Sequence, residues 1–276
     1  MATETAAQVL ARYERKAKRV ARVRDQSQRA FDRGHIDQAL LDHAYESTFL
    51  SAVSVFEQFL EDLFVSCLLD GSGIRSVKAR VGFPSASVAW EILIAGRGRR
   101  YVDWLPFKRT LERADVFLVA GRPFSRLRNR PSDLGAVTEA VTIRNAIAHE
   151  GGSATSGLKA LGLSHLPSRR RHPAGYLQSK VSGDPALTQH RARLADLNRI
   201  ARALASKTDK QALRYLGSER QFRSGEAPGR GTYQCVDCHA LVALTSKYAT
   251  LPQCPRCNLG PCLACNRVRQ SAYQRS

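Results

Sequence analysis

Several features that define other classes of protein are missing from this sequence. It has no run of about 18 consecutive apolar residues, so we expect no membrane-spanning helix. The N-terminal segment lacks an apolar stretch behind a basic start, so we predict no secretory signal and a cytoplasmic location. There is no internal repeat and no glycine-rich phosphate loop, and strand signals are almost absent before residue 230. These absences favour an all-α fold for the first domain.

Acidic residues are scarce, and between Glu150 and Asp184 there is none. The 276 residues include 43 Lys and Arg against 24 Asp and Glu, which gives a formal net charge of +19. This excess predicts an anionic partner, with nucleic acid favoured over a membrane surface. The alternative is charge that only maintains solubility. The acid-free stretch supplies the RNA-binding candidates, which are Lys159, Arg169, Arg170 and Arg171.

Cysteine is nearly absent before residue 235, where Cys67 is the single example. Cys67 lies on the apolar face of a predicted helix, so we expect a small buried core residue. Six cysteines follow in the C-terminal segment, as three Cys-x-x-Cys pairs. A disulfide-stabilised secreted fold would distribute its cysteines through the whole domain. Clustered pairs without a signal peptide instead predict metal ligands in a reducing cytoplasm.

Periodic apolar residues predict two long helices at the N-terminus. The first covers residues 4–33 and is basic on its outer faces, which are more simply explained as solvated than as an RNA groove. The second runs from about Asp37 to Leu69 and has an apolar stripe wide enough for more than one neighbouring helix. The stripe consists of Phe49, Val53, Phe56, Leu60, Leu63 and Cys67, widened by Val55 and Phe59.

The rest of the first domain is less regular. Short helices are predicted over 88–95 and 101–120, followed by a helix that Ser132 or Asp133 caps and that ends near Glu150. The second half of residues 151–183 is expected to be a mobile basic loop.

A final helix is expected from Pro185 to Ala205, extending as far as Leu213 if its pattern continues. Gly, Ser, Pro and charged residues then indicate a linker. The predicted organisation is therefore a helical domain over 1–216, a linker over 217–230, and a small metal-binding module with a basic tail over 231–276.

Two of the cysteine pairs have the spacing of a zinc site. Cys235-x2-Cys238 is separated from Cys254-x2-Cys257 by 15 residues, enough for a hairpin with residues 241–244 as one strand. Two such pairs can bring four thiolates around one tetrahedral zinc ion, which leaves no open position for catalysis. A segment this short has no core of its own, so the structural zinc would supply its folding energy.

The segment over residues 231–258 resembles a zinc ribbon, notably in its Tyr-Gln-Cys and Leu-Pro-Gln-Cys-Pro sequences. It departs from ribbons at His239 and Asn258, where Gly often follows the second cysteine of each pair. The third pair, Cys262 and Cys265, leaves an alternative open, because it could enclose a metal with the second pair. It could equally bind elsewhere, bridge two chains or stay reduced.

A different motif, Arg144-Asn145-x3-His149, ends the predicted helix before Glu150. Arg144 shares a helical face with apolar residues, and a core-facing arginine is costly unless it meets an anion or a carboxylate. Arg144 and His149 are about 140° apart on an ideal helix, so one straight helix does not aim both at a single phosphate. A second copy related by twofold symmetry could supply the missing half of the site.

This motif, together with the apolar helix sequence over residues 49–63, resembles the HEPN family (higher eukaryotes and prokaryotes nucleotide-binding), especially its bacterial RNase-like members. The resemblance covers roughly residues 1–210. It implies an α-helical bundle, a homodimer and often metal-independent RNA cleavage by a toxin or phage-defence protein. By the same resemblance Arg144 and His149 are catalytic, and Asn145 is the polar residue that follows the arginine. Some family members are inactive binding modules.

The residues also allow the chemistry to be stated directly. An RNA 2′-hydroxyl attacks the adjacent phosphate, His149 exchanges protons near neutral pH, and Arg144 stabilises the extra phosphorane charge. The structural alternative is that Arg144 pairs with Glu57 or Glu61 and His149 caps the helix. We therefore predict a metal-independent endoribonuclease. The alternatives are a non-catalytic nucleic-acid-binding or adaptor protein that uses the ribbon and basic loops, and a partner of a regulatory or antitoxin protein.

Overall fold

The computed structural model is mostly helical. It describes residues 4–94, 102–149, 157–159, 161, 166–181, 184–216, 221–222, 227, 231–235, 241–246, 248–250, 252 and 265–268. The helices are α1 (Ala6–Asp32), α2 (Gln38–Leu68), α3 (Ala86–Ile94), α4 (Phe107–Phe117), α5 (Pro131–Ala148), α6 (Pro173–Gln178), α7 (Gln189–Leu204) and α8 (Asp209–Leu216). Short 3-10 turns cover Val119–Gly121, Phe124–Leu127 and Ser168–Arg170, and residues 157–159 are helical.

Helices α1 and α2 form an antiparallel pair at the centre of the fold, as the apolar periodicity predicts. Thr5 caps α1 with a reciprocal capping box to Gln8, and the Asp37 carboxylate accepts the Leu40 N–H at 2.9 Å to cap α2. The predicted stripe of α2 is buried except for the half-buried Val55, and it includes Cys67, whose thiol pKa burial raises to about 12. Among the described residues, no helix is long and apolar enough to cross a membrane.

The helix predicted over 101–120 is shorter than expected. Pro106 is the N-cap of α4, so residues 102–105 lie outside the helix. Trp104 is still a core residue, 2% exposed, and its ring lies against Phe64 of α2 and under the Arg113 guanidinium. The side chain of Trp104 is therefore buried although its backbone lies outside the helix.

The cap predicted at Ser132 or Asp133 is also wrong, because the N-cap residue of α5 lies earlier in the sequence. Arg130 is the N-cap residue and Pro131 occupies the first helical position, where a missing N–H costs nothing. The Asp133 carboxylate is 1% exposed and is bound by Arg130 and by Arg199 of α7. Arg130 also donates to the Leu216 carbonyl at 2.5 Å, which ties the start of α5 to the end of α8.

The region expected to be a mobile basic loop contains ordered structure. Helix α6 contacts α2, where its Ala174 N–H donates to Glu46 at 3.1 Å. Strands β1 (Lys180–Val181) and β2 (Asp184–Thr188) form an antiparallel pair, so strand structure does occur before residue 230. This pair replaces the beginning of the final helix, which starts at Gln189 instead of Pro185 and has Thr188 as its cap.

The predicted extension of that helix to Leu213 is also wrong, since α7 ends at Leu204 and α8 is a separate helix. The guanidinium of Arg126 terminates α7 by donating to the carbonyls of Ala203, Leu204 and Ser206 at 2.9–3.0 Å. The same side chain binds Asp209 at the start of α8. These bonds satisfy carbonyl groups that the end of a helix leaves unpaired.

The C-terminal part contains a four-stranded antiparallel sheet in the order β3-β6-β4-β5. Its strands are β3 (Gln221–Phe222), β4 (Gly231–Cys235), β5 (Leu241–Leu244) and β6 (Cys265–Val268). The predicted strand over 241–244 is confirmed, but it pairs with the strand that precedes the first cysteine pair. Strand β3 lies within the predicted linker and belongs to this sheet.

Candidate functional site on helix α5

Helix α5 carries the candidate catalytic residues near its C-terminal end. Its core face is formed by residues at helical spacing that are buried against α2 and α7, namely Asp133, Ala136, Val137, Ala140 and Ile143. Arg144 and Asn145 lie at the edge of that face and are partly buried. The prediction that Arg144 lies among core-facing residues therefore overestimates its burial. Arg144 is only partly buried, and Ala148, on the same helical face, is exposed.

The structure brings Arg144 and Asn145 together. Nη1 of Arg144 donates to Oδ1 of Asn145 at 3.0 Å. This bond holds the guanidinium along the helix surface and uses only one of its five N–H donors. Asn145 is thus placed to orient the guanidinium of Arg144.

His149 lies at the other end of the motif, where the helix stops. It is the C-cap residue, with an extended backbone (φ −133°, ψ 111°), and its N–H donates to the Asn145 carbonyl at 2.9 Å. Its side chain is exposed, and among the described residues no hydrogen bond joins its ring to Arg144 or Asn145. One chain therefore presents the arginine and the histidine as separate groups.

Glu57 of α2 is the carboxylate whose charge interacts with Arg144. Burial raises the pKa of Glu57 above its ordinary value, Arg144 opposes that shift, and the charges of Asp103 and Glu61 add to it. Within the described part of the chain, Arg144 makes no direct ion pair. Of the two partners that the structural alternative allows, Glu57 is the one near Arg144.

Glu61 is occupied by other groups. Its two carboxylate oxygens accept hydrogen bonds from Trp104 Nε1 at 3.1 Å and from Gln58 Nε2 at 3.2 Å. Burial raises the pKa of this carboxyl as well, and the two hydrogen bonds act in the opposite direction. Glu61 therefore anchors Trp104 and is not the partner of Arg144.

The predicted RNA-binding residues are partly described. Lys159 is exposed on the helical turn 157–159, which is anchored by the buried Leu158. A side chain at Gly157 would come within 3.1 Å of Thr142 Cγ2, so this turn approaches α5 closely. Lys159 therefore lies near the helix that carries Arg144.

Arg170 and Arg171 are exposed at the 3-10 turn before α6. The Arg171 Nε donates to the Leu166 carbonyl at 2.9 Å. A side chain at Gly175 would meet the Arg170 carbonyl at 2.2 Å, so only glycine allows this approach of the two backbones. The side chain of Arg169 lies outside the described residues.

The metal-binding prediction falls mostly outside the described residues, since Cys238, Cys254, Cys257 and Cys262 belong to the parts of the chain that the structure does not describe. The strand register gives one relevant fact, because Cys235 of β4 and Cys265 of β6 are direct Cα partners. One cysteine of the first pair, Cys235, therefore lies directly opposite one cysteine of the third pair, Cys265, on the neighbouring strand. In the described ranges, no group of three or more His, Cys, Asp or Glu residues could hold a metal.

A second arginine–histidine pair, which the sequence motifs do not indicate, lies in the interior. Arg24 of α1 donates from Nη1 to Nδ1 of His190 at 3.2 Å, and Nε2 of His190 lies 3.1 Å from the Thr48 hydroxyl. That hydroxyl donates to the Ala44 carbonyl at 2.6 Å, so the histidine is neutral with its proton on Nε2. Burial, followed by the charge of Arg24, lowers the pKa of His190 to about 3. The 166-residue separation gives no sequence signal.

Comparison of the chain with models of known protein families, with curated proteins and with solved structures finds no match in any of the three.

Proposed function

We propose that this protein is a metal-independent endoribonuclease of HEPN type, acting as a toxin or phage-defence effector. The observation that carries the proposal is the arrangement at the end of α5, where a partly buried Arg144 is oriented by Asn145 and an exposed His149 follows. A partly desolvated arginine without a direct ion pair among the described residues is suited to bind an anion. Glu57 interacts with Arg144 through its charge without forming a direct ion pair among the described residues, so the guanidinium keeps N–H donors for a ligand.

The reaction follows from these side chains. A His149 ring accepts the proton of an RNA 2′-hydroxyl, whose oxygen attacks the adjacent phosphorus. Arg144 donates hydrogen bonds to the non-bridging oxygens as charge develops on them. The P–O5′ bond breaks, the leaving 5′-oxygen takes up a proton, and the products are a 2′,3′-cyclic phosphate and a 5′-hydroxyl. DNA has no 2′-hydroxyl and should resist cleavage.

The active form in this proposal is a homodimer. The Arg144 and His149 side chains of one chain are not hydrogen-bonded to each other, and His149 is the extended C-cap residue, outside the regular helix that carries Arg144. Two α5 ends related by twofold symmetry would present each arginine to the histidine of the other copy. A composite site of this kind explains why the two residues need not meet within a single chain.

The decisive experiment measures cleavage of single-stranded RNA in the presence of EDTA. The wild-type protein should produce fragments with 2′,3′-cyclic phosphate ends, and His149→Ala should produce none. His35→Ala is the matched control, since His35 is exposed beyond the end of α1, and this variant should cleave normally. The proposal is wrong if wild type does not cleave, or if His149→Ala cleaves equally well.

We also propose that the C-terminal sheet binds one structural zinc through Cys235 and Cys238 and one further cysteine pair. The spacing favours Cys254 and Cys257 as the second pair. The register of Cys235 opposite Cys265 favours the third pair.

Zinc content after Cys→Ser substitution separates the two sets. Cys265→Ser and Cys254→Ser are compared, and the variant that loses the metal identifies the pair. One zinc per chain is expected in the wild type, measured by elemental analysis. Retention of zinc by Cys235→Ser would contradict both ligand sets.

The second candidate function is a non-catalytic nucleic-acid-binding or adaptor protein, which the exposed basic residues on several helices favour. In that case RNA or DNA binding would depend on salt and would be unchanged in His149→Ala. A regulatory or antitoxin partner would be recognised as a protein that co-purifies in a stable complex.

A further inference from the structure

Helix α1 has an exposed face that carries basic residues from Arg15 to its C-cap residue, Arg33. The face consists of Arg15, Lys18, Arg19, Arg22, Arg29 and Arg33, all exposed, and we name it the α1 ridge. On a helix of 100° per residue, these six positions fall within a sector of about 100°. The sector is opposite the buried residues Tyr13 and Ala17. From first to last the ridge is about 27 Å long.

The ridge is not neutralised by the protein. Within the described part of the chain, none of the six residues forms an ion pair. The carboxylates that border the ridge are occupied by other partners. Glu14 is bound by Arg202, Asp25 by Arg24 and Arg191, and Asp32 by Gln28.

Other cations of the same helix are used differently. Arg12 is bound by Glu4 and by Asp62 of α2, and Arg24 is buried beside His190. The arginines of α1 therefore divide into a set that holds the fold together and a set that faces solvent. Residues of the ridge three and four positions apart repel one another, so the stripe weakens the isolated helix. An anionic strand bound along it would relieve that repulsion.

We propose that the α1 ridge binds the phosphate backbone of single-stranded RNA. The choice of RNA rests on the endoribonuclease proposed above, whereas the need for an extended polyanion rests on the ridge itself. A membrane surface fits less well, because helices that lie in the interface bury Trp, Phe or Leu beneath their cations. Here the apolar face of α1 is already packed in the core, and Val23 is the large apolar residue exposed beside the ridge.

The test is RNA binding by proteins that all carry His149→Ala, so that the substrate stays intact. The ridge variant Arg15→Gln/Arg19→Gln/Arg22→Gln keeps helix-forming side chains and removes three charges. The control Lys108→Gln/Lys210→Gln/Arg214→Gln removes three exposed charges from α4 and α8. Circular dichroism melting of each variant confirms equal folding. Fluorescence anisotropy then measures the affinity for a labelled single-stranded RNA of about 20 nucleotides over a range of salt concentrations.

We expect the slope of log affinity against log salt to become shallower by about 2 in the ridge variant, since each phosphate contact contributes about 0.7. This corresponds to about 100-fold weaker binding at 0.1 M salt relative to a shared value at 1 M. The control triple should bind as the parent does. Equal binding by the ridge variant, or equal loss in both triples, overturns the proposal.

Two further measurements separate this inference from the proposed function. Binding of the ridge to phosphatidylserine vesicles, without an effect of the ridge variant on RNA, would identify a membrane surface as the partner and overturn the inference. Cleavage assays on the His149-containing proteins report on catalysis alone. If the protein cleaves RNA but the ridge variant binds RNA unchanged, the ridge inference is wrong and the endoribonuclease proposal stands. If RNA binding depends on the ridge but no cleavage occurs, the endoribonuclease proposal is wrong and the ridge inference stands.

Discussion

Two arginine–histidine pairs in the described part of the chain have surroundings that differ in almost every respect. Arg24 and His190 meet between α1, α2 and α7, where the ring is 0% exposed and both of its nitrogens are hydrogen-bonded. Arg144 and His149 lie at the end of α5, partly buried and exposed respectively, with no bond between them. The interior pair has its contacts satisfied by the fold, whereas the outer pair is available to a ligand. The same two residue types thus serve stability in one place and are suited to chemistry in the other.

The largest difference should appear when the two arginines are replaced. Arg144→Ala should reduce RNA cleavage by about 100-fold or more, since it removes a charge that stabilises the transition state, and should leave the unfolding free energy nearly unchanged. Arg24→Met should show the opposite pattern, with reduced stability and cleavage within a few-fold of wild type. Steady-state cleavage rates and urea unfolding test both variants. Loss of stability in Arg144→Ala without loss of activity would mean that both pairs are structural.

The next effect concerns the interior histidine. His190→Ala removes the acceptor of Arg24 Nη1 and creates a cavity, while Arg24 keeps its bond to Asp25, so the unfolding free energy should fall by about 2–4 kcal/mol. His35→Ala, at an exposed position, should change it by less than about 0.5 kcal/mol. Urea unfolding at neutral pH measures both. Equal stability of the two variants would refute the role given to His190.

The pH dependence of stability should distinguish the pairs as well. The folded-state pKa of His190 is lowered from 6.5 to about 3, so between these values the unfolded chain binds a proton that the folded chain does not. Stability from this group is complete above about pH 6.5 and is lost as the pH falls towards 3, by at most about 1.4 kcal/mol per pH unit. Unfolding curves of wild type and His190→Gln between neutral and mildly acidic pH should converge, because the variant lacks this slope. Parallel curves would show that the pKa of His190 is not lowered in the folded protein.

The smallest expected effect tests whether the main role of Arg144 is its electrostatic interaction with Glu57. Glu57→Gln removes the carboxylate charge that interacts with Arg144 and keeps the shape of the side chain. We expect cleavage within about threefold of wild type and a change in unfolding free energy below about 1 kcal/mol, since a partly exposed pair contributes little. Parallel activity and stability measurements decide the matter. A loss of stability matching that of Arg144→Ala would instead assign the arginine to the fold.

The N-terminal helices were predictable because their signals are local. The boundaries Ala6–Asp32 and Gln38–Leu68 differ from the expected ones by at most two residues, and the caps at Thr5 and Asp37 lie within one turn of the residues they serve. The apolar stripe of α2 repeats over many turns, so its burial follows from periodicity alone.

The helix boundaries that were predicted wrongly depend either on a proline or on a residue that is distant in sequence. Pro106 delays α4, and Pro131 moves the cap of α5 to Arg130. Helix α7 ends where Arg126, more than 70 residues earlier, binds its last carbonyls. Contacts of this kind produce no periodic pattern in the sequence, so they cannot be predicted from it.

The sequence indicates candidate site residues, but it does not predict their environment. The sequence indicates Arg144, Asn145 and His149, and the hydrogen bond between the first two is a neighbour contact. The choice of Glu57 over Glu61 depends on how Trp104 packs, because the indole N–H binds Glu61. The buried pair of Arg24 and His190 depends on three helices meeting, which no local pattern encodes.

The hydrogen bond from Arg130 to the Leu216 carbonyl has a mechanical consequence. Arg130 is the N-cap of α5, and Leu216 is the last residue of α8, from which the chain continues toward the cysteine-rich sheet. A tension applied to the chain after Leu216 therefore acts directly on the first turn of α5. His149 lies at the opposite end of that helix, about 27 Å away along a nearly rigid rod. The Arg130–Leu216 hydrogen bond therefore connects the start of the C-terminal segment to the helix that ends at the outer arginine–histidine pair.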